Sequence, residues 1–303
     1  MIMKNIINLL SIKNKFLLVG VIFGTFFTYS TIYTIIPKHT ELTTNYKIQK
    51  NGLLFIKQIN ELIIEVQKLR GLTNIYLNDI KSNELDIHKQ TKVVLETKHA
   101  LEELNQKIGT QKTDTEIIEI IAELEENINL IISQSSQETF NTYTHIIERL
   151  LSFISFINYE YLLHNNSNNE IQILLDLYVD NIPVIIESLG KTRGITSGLL
   201  ATNKINSDNK AYINQQINLI RFNDKQIEIK IETLFKYNKY LKEQLNQNIL
   251  KISHSADKFY HLYQKNILTY DGIKEVGTND FFETSTQIIA EYNEFLDSLY
   301  SIL

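Results

Sequence analysis

Apolar residues recur every three or four positions along most of this chain, which is the spacing of one face of an α-helix. Short polar stretches, among them 78–83 and 203–209, separate the segments that have this spacing. The pattern therefore predicts an all-α protein. The predicted helices lie near residues 38–77, 84–108, 114–134, 136–163, 168–201, 210–268 and 280–303.

Local signals refine the ends of several predicted helices. A Ser or Thr followed three residues later by Glu can satisfy free backbone N–H groups at a helix start, in the pattern called a capping box. Such pairs predict helix starts at Thr113, Ser135 and Ser167. Pro183 lies inside a predicted helix and removes one backbone donor, so we expect a kink there. We also expect a break near 253–255 in the longest helix.

One segment near the N-terminus differs from the rest, because no charged residue occurs from Phe16 to Pro37. These residues, about 22 in number, can cross the hydrocarbon core of a bilayer at about 1.5 Å per helical residue. Lys4, Lys13 and Lys15 precede the segment, and no acidic residue accompanies them. Since basic residues mark the cytoplasmic side of a span, we expect the N-terminus in the cytoplasm and the rest of the chain outside.

A cleaved signal peptide is the alternative for this segment, but the apolar run is too long for one and no A-x-A-like site follows it. We therefore expect a single-pass protein of the bacterial inner membrane. Its predicted parts are a cytoplasmic N-terminus at 1–15, a transmembrane helix at 16–37 and an extracytoplasmic, periplasmic all-helical domain at 38–303. Long antiparallel helices would form a membrane-proximal bundle, and shorter helices between 84 and 163 a distal one.

Composition and charge exclude several kinds of function. The chain contains no Cys, which rules out disulfides, zinc–thiolate sites and thiol nucleophiles. All 35 acidic residues follow Pro37, whereas three of the 30 basic residues precede it, so the predicted domain is acidic and no nucleic-acid partner is expected. Glu96 and His99 have the spacing of a di-iron ligand pair, but no second pair is evident. We expect no enzyme, no metal and no cofactor.

Two segments 123 positions apart repeat the same polar residues within an apolar helix face. Residues 68–77 and 191–200 share Lys, Arg, Gly, Thr and Leu at equivalent positions. The chain has only four arginines, so two at equivalent positions indicate a duplicated feature. The matched pairs are Arg70 with Arg193, Gly71 with Gly194, and Thr73 with Thr196.

An arginine on an apolar face needs a partner, because desolvating an unpaired charge costs several kcal/mol. One interpretation is a buried ion pair or a side chain that extends to solvent. The other is a pocket in which two arginines bind a small anion, since the planar guanidinium matches carboxylate, nitrate or nitrite oxygens. Helical glycines allow close approach, and threonines can donate hydrogen bonds to the same ligand. The candidate ligand-binding residues are Arg70, Arg193, Thr73, Thr196, Gly71 and Gly194.

Three stretches of the chain resemble one known family. They are Gly52 with residues 67–72, residues 189–200, and residues 281–286. Together they are similar to the nitrate- and nitrite-sensing (NIT) domains of bacterial transmembrane receptors. The resemblance implies an all-helical sensor that precedes the output module of a chemotaxis receptor, histidine kinase or diguanylate cyclase. It also implies that arginines on facing helices, here Arg70 and Arg193, hold nitrate or nitrite.

We therefore expect a membrane-anchored sensor that binds a small anion and transmits a helix shift to a signalling output. We expect a homodimer, with an output module that is separate or missing, since this chain stops at Leu303 before a second span. The alternatives are a helical scaffold with structural arginines, and a sensor of the same fold for another ligand such as an organic acid. The roles of Arg149 and Arg221 stay open.

Overall fold

The computed structural model of the chain describes residues 11–77, 84–130, 135–164, 168–202, 207–268 and 278–303. All elements assigned in these residues are helical, which confirms the predicted all-α class. The predicted turn at 78–83, and residues 203–206 of the next one, lie outside the described ranges. The α-helices are α1 (Ile12–Ser30), α2 (Ile36–Leu77), α3 (Glu84–Ile108), α4 (Gln111–Leu130), α5 (Ser136–Glu160), α6 (Asn169–Asp176), α7 (Ile182–Thr202), α8 (Ser207–Tyr237), α9 (Lys239–Tyr263) and α10 (Thr278–Ile302).

Internal contacts divide the chain after Lys50 into two units. The first unit contains α1, a π-helical turn at Thr31–Ile35 and the beginning of α2. Ser11 caps α1, since its hydroxyl accepts a hydrogen bond from the backbone N–H of Asn14 at 3.4 Å. None of the side chains of α1 is buried. By length and composition alone, the helical stretch that begins here could cross a membrane.

The second unit runs from Asn51 onward and holds the core. Helix α7 packs against α8 and α10, and α9 packs against α10; α4 contacts α3 and α5, and α5 contacts α7. On α2, Ile56, Ile59, Ile63 and Val66 are all buried and keep the spacing of three and four residues. The same helix face continues to Arg70. The division into a membrane-proximal and a distal bundle stays a prediction.

Capping interactions confirm one predicted helix start and correct another. At the start of α5, the hydroxyl of Ser135 accepts the backbone N–H of Glu138, and the Glu138 carboxylate accepts the backbone N–H of Ser135. The predicted capping box is therefore present. Helix α4 begins at Gln111, three residues before the predicted start. The hydroxyl of Thr110 accepts the N–H of Thr113 at 3.3 Å, so the cap lies one turn earlier.

Two asparagines provide caps that the sequence pattern did not reveal. Asn168 caps α6. The predicted cap is its neighbour Ser167, which lies outside the described residues. Asn238 separates α8 from α9, and its side chain accepts the backbone N–H of Leu241 at 3.1 Å. The predicted break near 253–255 is wrong, because α9 continues through those residues. The predicted helix 210–268 is instead interrupted at Asn238, about four helical turns before the predicted break.

A π-helical turn precedes Pro183, where a kink is predicted. This turn, Leu177–Asn181, joins α6 to α7 and ends two residues before the proline. Proline has no backbone N–H for the preceding turn, and a π-helical turn is one way to accommodate the missing donor. Lys230 of α8 holds the turn, because its Nζ lies 2.8 Å from Oδ1 of Asn181 and 3.2 Å from Oδ2 of Asp176.

Candidate functional site

The arginine of the first repeated segment is held in a buried ion pair. Arg70 lies on α2 and is only 2% exposed. Its Nη1 donates to Oε1 of Glu187 on α7 at 2.7 Å, and its Nη2 donates to Oε2 at 3.1 Å. This two-pronged contact is the strong form of an arginine–carboxylate interaction. The positive charge of Arg70 is therefore compensated inside the protein.

Neighbouring groups fix this ion pair in place. Gln67, one helical turn before Arg70, donates from Nε2 to Oε2 of Glu187 at 2.8 Å. Thr144 of α5 accepts a hydrogen bond from Arg70 Nη1 at 2.8 Å. The guanidinium carbon of Arg70 also lies 5.0 Å from the ring centre of Phe140, a cation–π distance. These contacts join α2, α5 and α7 around one carboxylate.

Arg193 occupies the equivalent position in the second segment but has a different environment. It is 8% exposed, and its Nη1 donates to Oγ1 of Thr286 on α10 at 3.0 Å. Its guanidinium carbon lies 5.1 Å from the ring centre of Phe282. No carboxylate lies at ion-pair distance from Arg193 within the described ranges. Since Thr286 itself is exposed, this end of the site is next to solvent.

Burial changes the proton affinity of Arg193. Desolvation is the largest cause, and repulsion by Arg70 adds to it, while attraction by Glu187 opposes both. The pKa of Arg193 falls below its ordinary value to about 10. The guanidinium therefore stays charged at neutral pH although no carboxylate of the described residues lies at ion-pair distance from it. An anion bound beside it would remove the cost of this buried charge.

The two threonines of the repeat also differ in their hydrogen bonds. The hydroxyl of Thr73 donates to the backbone carbonyl of Leu69 at 2.6 Å. Thr196 is fully buried, and its hydroxyl has no hydrogen-bond partner in the described part of the chain. Because Thr196 follows Arg193 by three residues, the two side chains lie on the same face of α7. A buried hydroxyl without a partner is costly unless a ligand or water satisfies it.

The two glycines of the repeat have different neighbours, and only Gly194 is closely packed, against Phe140 of α5. A methyl group at Gly71 would lie 3.8 Å from Nη2 of Arg193, which is an ordinary contact. A methyl group at Gly194 would lie 2.8 Å from Cε2 of Phe140, which is too close. The backbone carbonyl of Gly194 accepts a hydrogen bond from Asn74 Nδ2 at 3.2 Å. The two segments of the repeat thus meet in space.

One further cation borders the site. Lys191 lies on α7 with its Nζ 3.8 Å from Oε1 of Glu187. The same Nζ donates to Oε1 of Glu148 on α5 at 2.7 Å. Glu148 is about half exposed, with 54% of its side chain accessible. The positive charge of Lys191 is therefore paired mainly with Glu148, at the edge of the site.

Sequence reasoning did not identify Glu187 as part of the site, although it is the central carboxylate. The available signal was its position in an otherwise apolar stretch just before the second repeated segment. Phe282 and Thr286 were also missed as contacts of Arg193. They lie in the stretch 281–286 that carries part of the family resemblance.

The other two arginines have separate environments. Arg149 of α5 binds two carboxylates of α4, with Nη1 2.7 Å from Oε2 of Glu123 and Nη2 3.1 Å from Oε2 of Glu119. Arg221 of α8 is exposed, and its guanidinium carbon lies 5.0 Å from the ring centre of Tyr260. Among the described residues, neither arginine pairs with Arg70, Arg193 or Glu187, and each contacts side chains of a neighbouring helix.

These features define an all-helical domain with a buried cationic site where α2, α7 and α10 meet. A family model described as nitrate and nitrite sensing (NIT) matches residues 61–301, a range that includes both repeated segments. The chain therefore belongs to the NIT family, as the resemblance implied. No curated protein and no solved structure matches the chain.

Proposed function

We propose that this chain is a membrane-anchored sensor module that binds nitrate or nitrite beside Arg193. One observation carries the proposal: Arg193 is buried and charged, and no carboxylate of the described residues lies at ion-pair distance from it. Membership of the NIT family supports the same ligand class. The proposal assigns the chain no catalytic activity.

The chemistry of Arg193 suits a small oxyanion. A guanidinium presents its N–H donors in a plane, which matches the planar oxygens of nitrate or the bent pair of nitrite. Each charge-assisted hydrogen bond contributes roughly 1.5–3 kcal/mol. The unpaired hydroxyl of Thr196 supplies one more donor on the same helix face. Bound anion would thus compensate a buried charge and satisfy a buried hydroxyl.

Signalling requires that the anion bind two packing arrangements with different affinity. Arg193 of α7 contacts Thr286 of α10 and lies close to Gly71 of α2, so an anion there acts where three helices meet. We propose that binding shifts α2 against α7. In this proposal α1 anchors the protein in the bacterial inner membrane with the helical domain outside. We also propose that the chain forms a homodimer and passes the signal to an output such as that of a chemotaxis receptor or sensor kinase.

A calorimetric melt of the full chain in detergent micelles tests ligand binding. Nitrate, nitrite, acetate and chloride would be added as sodium salts at equal ionic strength. A ligand at 100 times its dissociation constant stabilises the folded chain by about 2.7 kcal/mol. We expect a nitrate or nitrite shift that Arg193→Met abolishes. Arg149→Met is the matched control, because it also removes an arginine but only its contacts with Glu119 and Glu123.

The same melts separate this proposal from the two alternatives. A sensor for an organic acid would respond to acetate more strongly than to nitrate. A scaffold with structural arginines would respond to no salt more than to chloride, and Arg193→Met would alter stability alone. Either result contradicts nitrate or nitrite sensing by this chain.

A further inference from the structure

The charges around Arg193 do not cancel. Three cations, Arg70, Lys191 and Arg193, lie near two carboxylates, Glu187 and Glu148. The bidentate contact assigns Glu187 to Arg70, and the 2.7 Å contact assigns Glu148 to Lys191. Among these five groups of the described residues, one positive charge is left, and it resides on Arg193.

We propose that Glu187 is a specificity-determining residue that restricts the site to monovalent anions. The inference rests on the proposed function, because it assumes that an anion binds beside Arg193. With Arg70 neutralised by Glu187, the ligand meets a single positive charge. A monovalent anion such as nitrate or nitrite cancels this charge. A divalent anion such as sulfate leaves one negative charge buried, which is costly.

The position of Glu187 gives its charge a strong effect on the site. Its side chain is only 5% exposed, so solvent screens it poorly. It acts electrostatically on Arg193 as well as on Arg70, and its field therefore reaches the place where the anion would bind. One hydrogen bond from Gln67 and two from Arg70 fix the position of the Glu187 carboxylate. Glu187 thus opposes a second negative charge on the ligand.

Three variants of the full chain test this role by isothermal titration calorimetry with sodium nitrate and sodium sulfate at equal ionic strength. Glu187→Gln leaves Arg70 uncompensated, and we expect the preference for nitrate over sulfate to fall at least about tenfold. Arg70→Gln leaves Glu187 uncompensated, and we expect nitrate affinity to fall at least about tenfold. The double variant has an uncharged pair that can still form hydrogen bonds. We expect it to recover both the nitrate affinity and the preference of the parent chain to within about threefold.

The double variant keeps the test decisive if either single variant fails to fold. If Arg70 contacts the anion directly, the nitrate affinity of the double variant stays as low as that of Arg70→Gln, or nitrate binding is lost. Either result overturns the inference. An unchanged preference in a folded Glu187→Gln variant also overturns it. Glu123→Gln is the control, since it removes the carboxylate of another 2.7 Å arginine pair outside the site. The Glu123→Gln variant should keep the preference for nitrate over sulfate. If it loses this preference as much as Glu187→Gln does, a local role for Glu187 is contradicted.

Failure of this inference can be told apart from failure of the proposed function. A parent chain that binds neither nitrate nor nitrite overturns the proposed function and this inference with it. A parent chain that binds nitrate, but prefers it over sulfate equally with and without Glu187, overturns the inference alone.

Discussion

Arg70 and Glu187 form a bidentate ion pair across 117 positions of sequence, with both side chains almost completely buried. The pair joins α2 to α7 at the centre of the candidate site. It makes the two repeated arginines unequal, because Arg70 has an internal counter-charge and Arg193 has none among the described residues. The duplicated sequence therefore places one arginine in an internal ion pair and leaves the other as the stronger candidate for a ligand contact.

Breaking this pair should destabilise the ligand-free chain. Arg70→Gln leaves a buried carboxylate unpaired, and removal of one partner of a buried pair costs about 3–5 kcal/mol. Removing both charges in the Arg70→Gln, Glu187→Gln double variant should cost less than either single change. Urea unfolding in detergent micelles measures the three free energies. If the single and double changes simply add, the two residues are not coupled.

The two glycines of the repeat should respond in opposite ways to alanine. Gly194→Ala places a methyl group 2.8 Å from the buried Phe140 ring, and such overpacking costs about 1–3 kcal/mol. Gly71→Ala makes only an ordinary contact, and alanine is favoured over glycine in a helix by about 1 kcal/mol. We expect a lower unfolding free energy for the first variant and an equal or higher one for the second. Equal destabilisation by both would contradict the close packing at Gly194.

The cap of α5 should depend on pH through Glu138. Hydrogen bonds from the side chain and backbone N–H of Ser135 lower the pKa of Glu138 below its usual value of 4.5. Because the folded-state pKa is lowered, the stabilisation is present above about pH 4.5 and is lost as pH falls through the lowered pKa. Glu138→Gln should therefore be less stable than the parent at neutral pH, and the difference should shrink in acid. Urea unfolding across this range checks it; a difference independent of pH would exclude the charged cap.

Nitrate affinity should fall at high pH through Arg193. This guanidinium has a folded-state pKa of about 10, below its ordinary value. The ligand-free folded chain carries the cost of the charge below about pH 10, and that cost is relieved as pH rises from about 10 toward the ordinary pKa of arginine. Since a bound anion favours the charged form, we expect constant nitrate affinity near neutral pH and weakening above about pH 10. Calorimetric titrations at several pH values test this, and undiminished affinity in the folded chain above pH 10 would argue against Arg193.

The junction between α8 and α9 should be sensitive to Asn238. Its side chain accepts the N–H of Leu241 and donates from Nδ2 to Oε2 of Glu170 at 2.8 Å. Loss of an N-cap costs about 1 kcal/mol, so Asn238→Ala should lower the unfolding free energy by at least that amount. Asn238→Ser retains a capping oxygen and should lose less. Urea unfolding ranks the three chains, and equal loss in Ala and Ser would show that the contact with Glu170 dominates.

The sequence by itself determined the helical class and most helix positions, because apolar spacing and caps such as Ser135 with Glu138 act within a few residues. It also determined that Arg70 and Arg193 lie on apolar faces, where each needs a partner. Weak local signals were missed, as at Asn238, where a single side chain ends one helix and begins the next.

Only the tertiary structure decided which partner each arginine has. Glu187 reaches Arg70 because the fold brings these side chains of α2 and α7 within hydrogen-bond distance, and Thr286 reaches Arg193 because α10 packs against α7. These residues are far apart in sequence, so no local pattern could distinguish the two matched arginines. The difference between them is electrostatic: one buried charge is neutralised by an internal carboxylate, and the other has no carboxylate at ion-pair distance among the described residues.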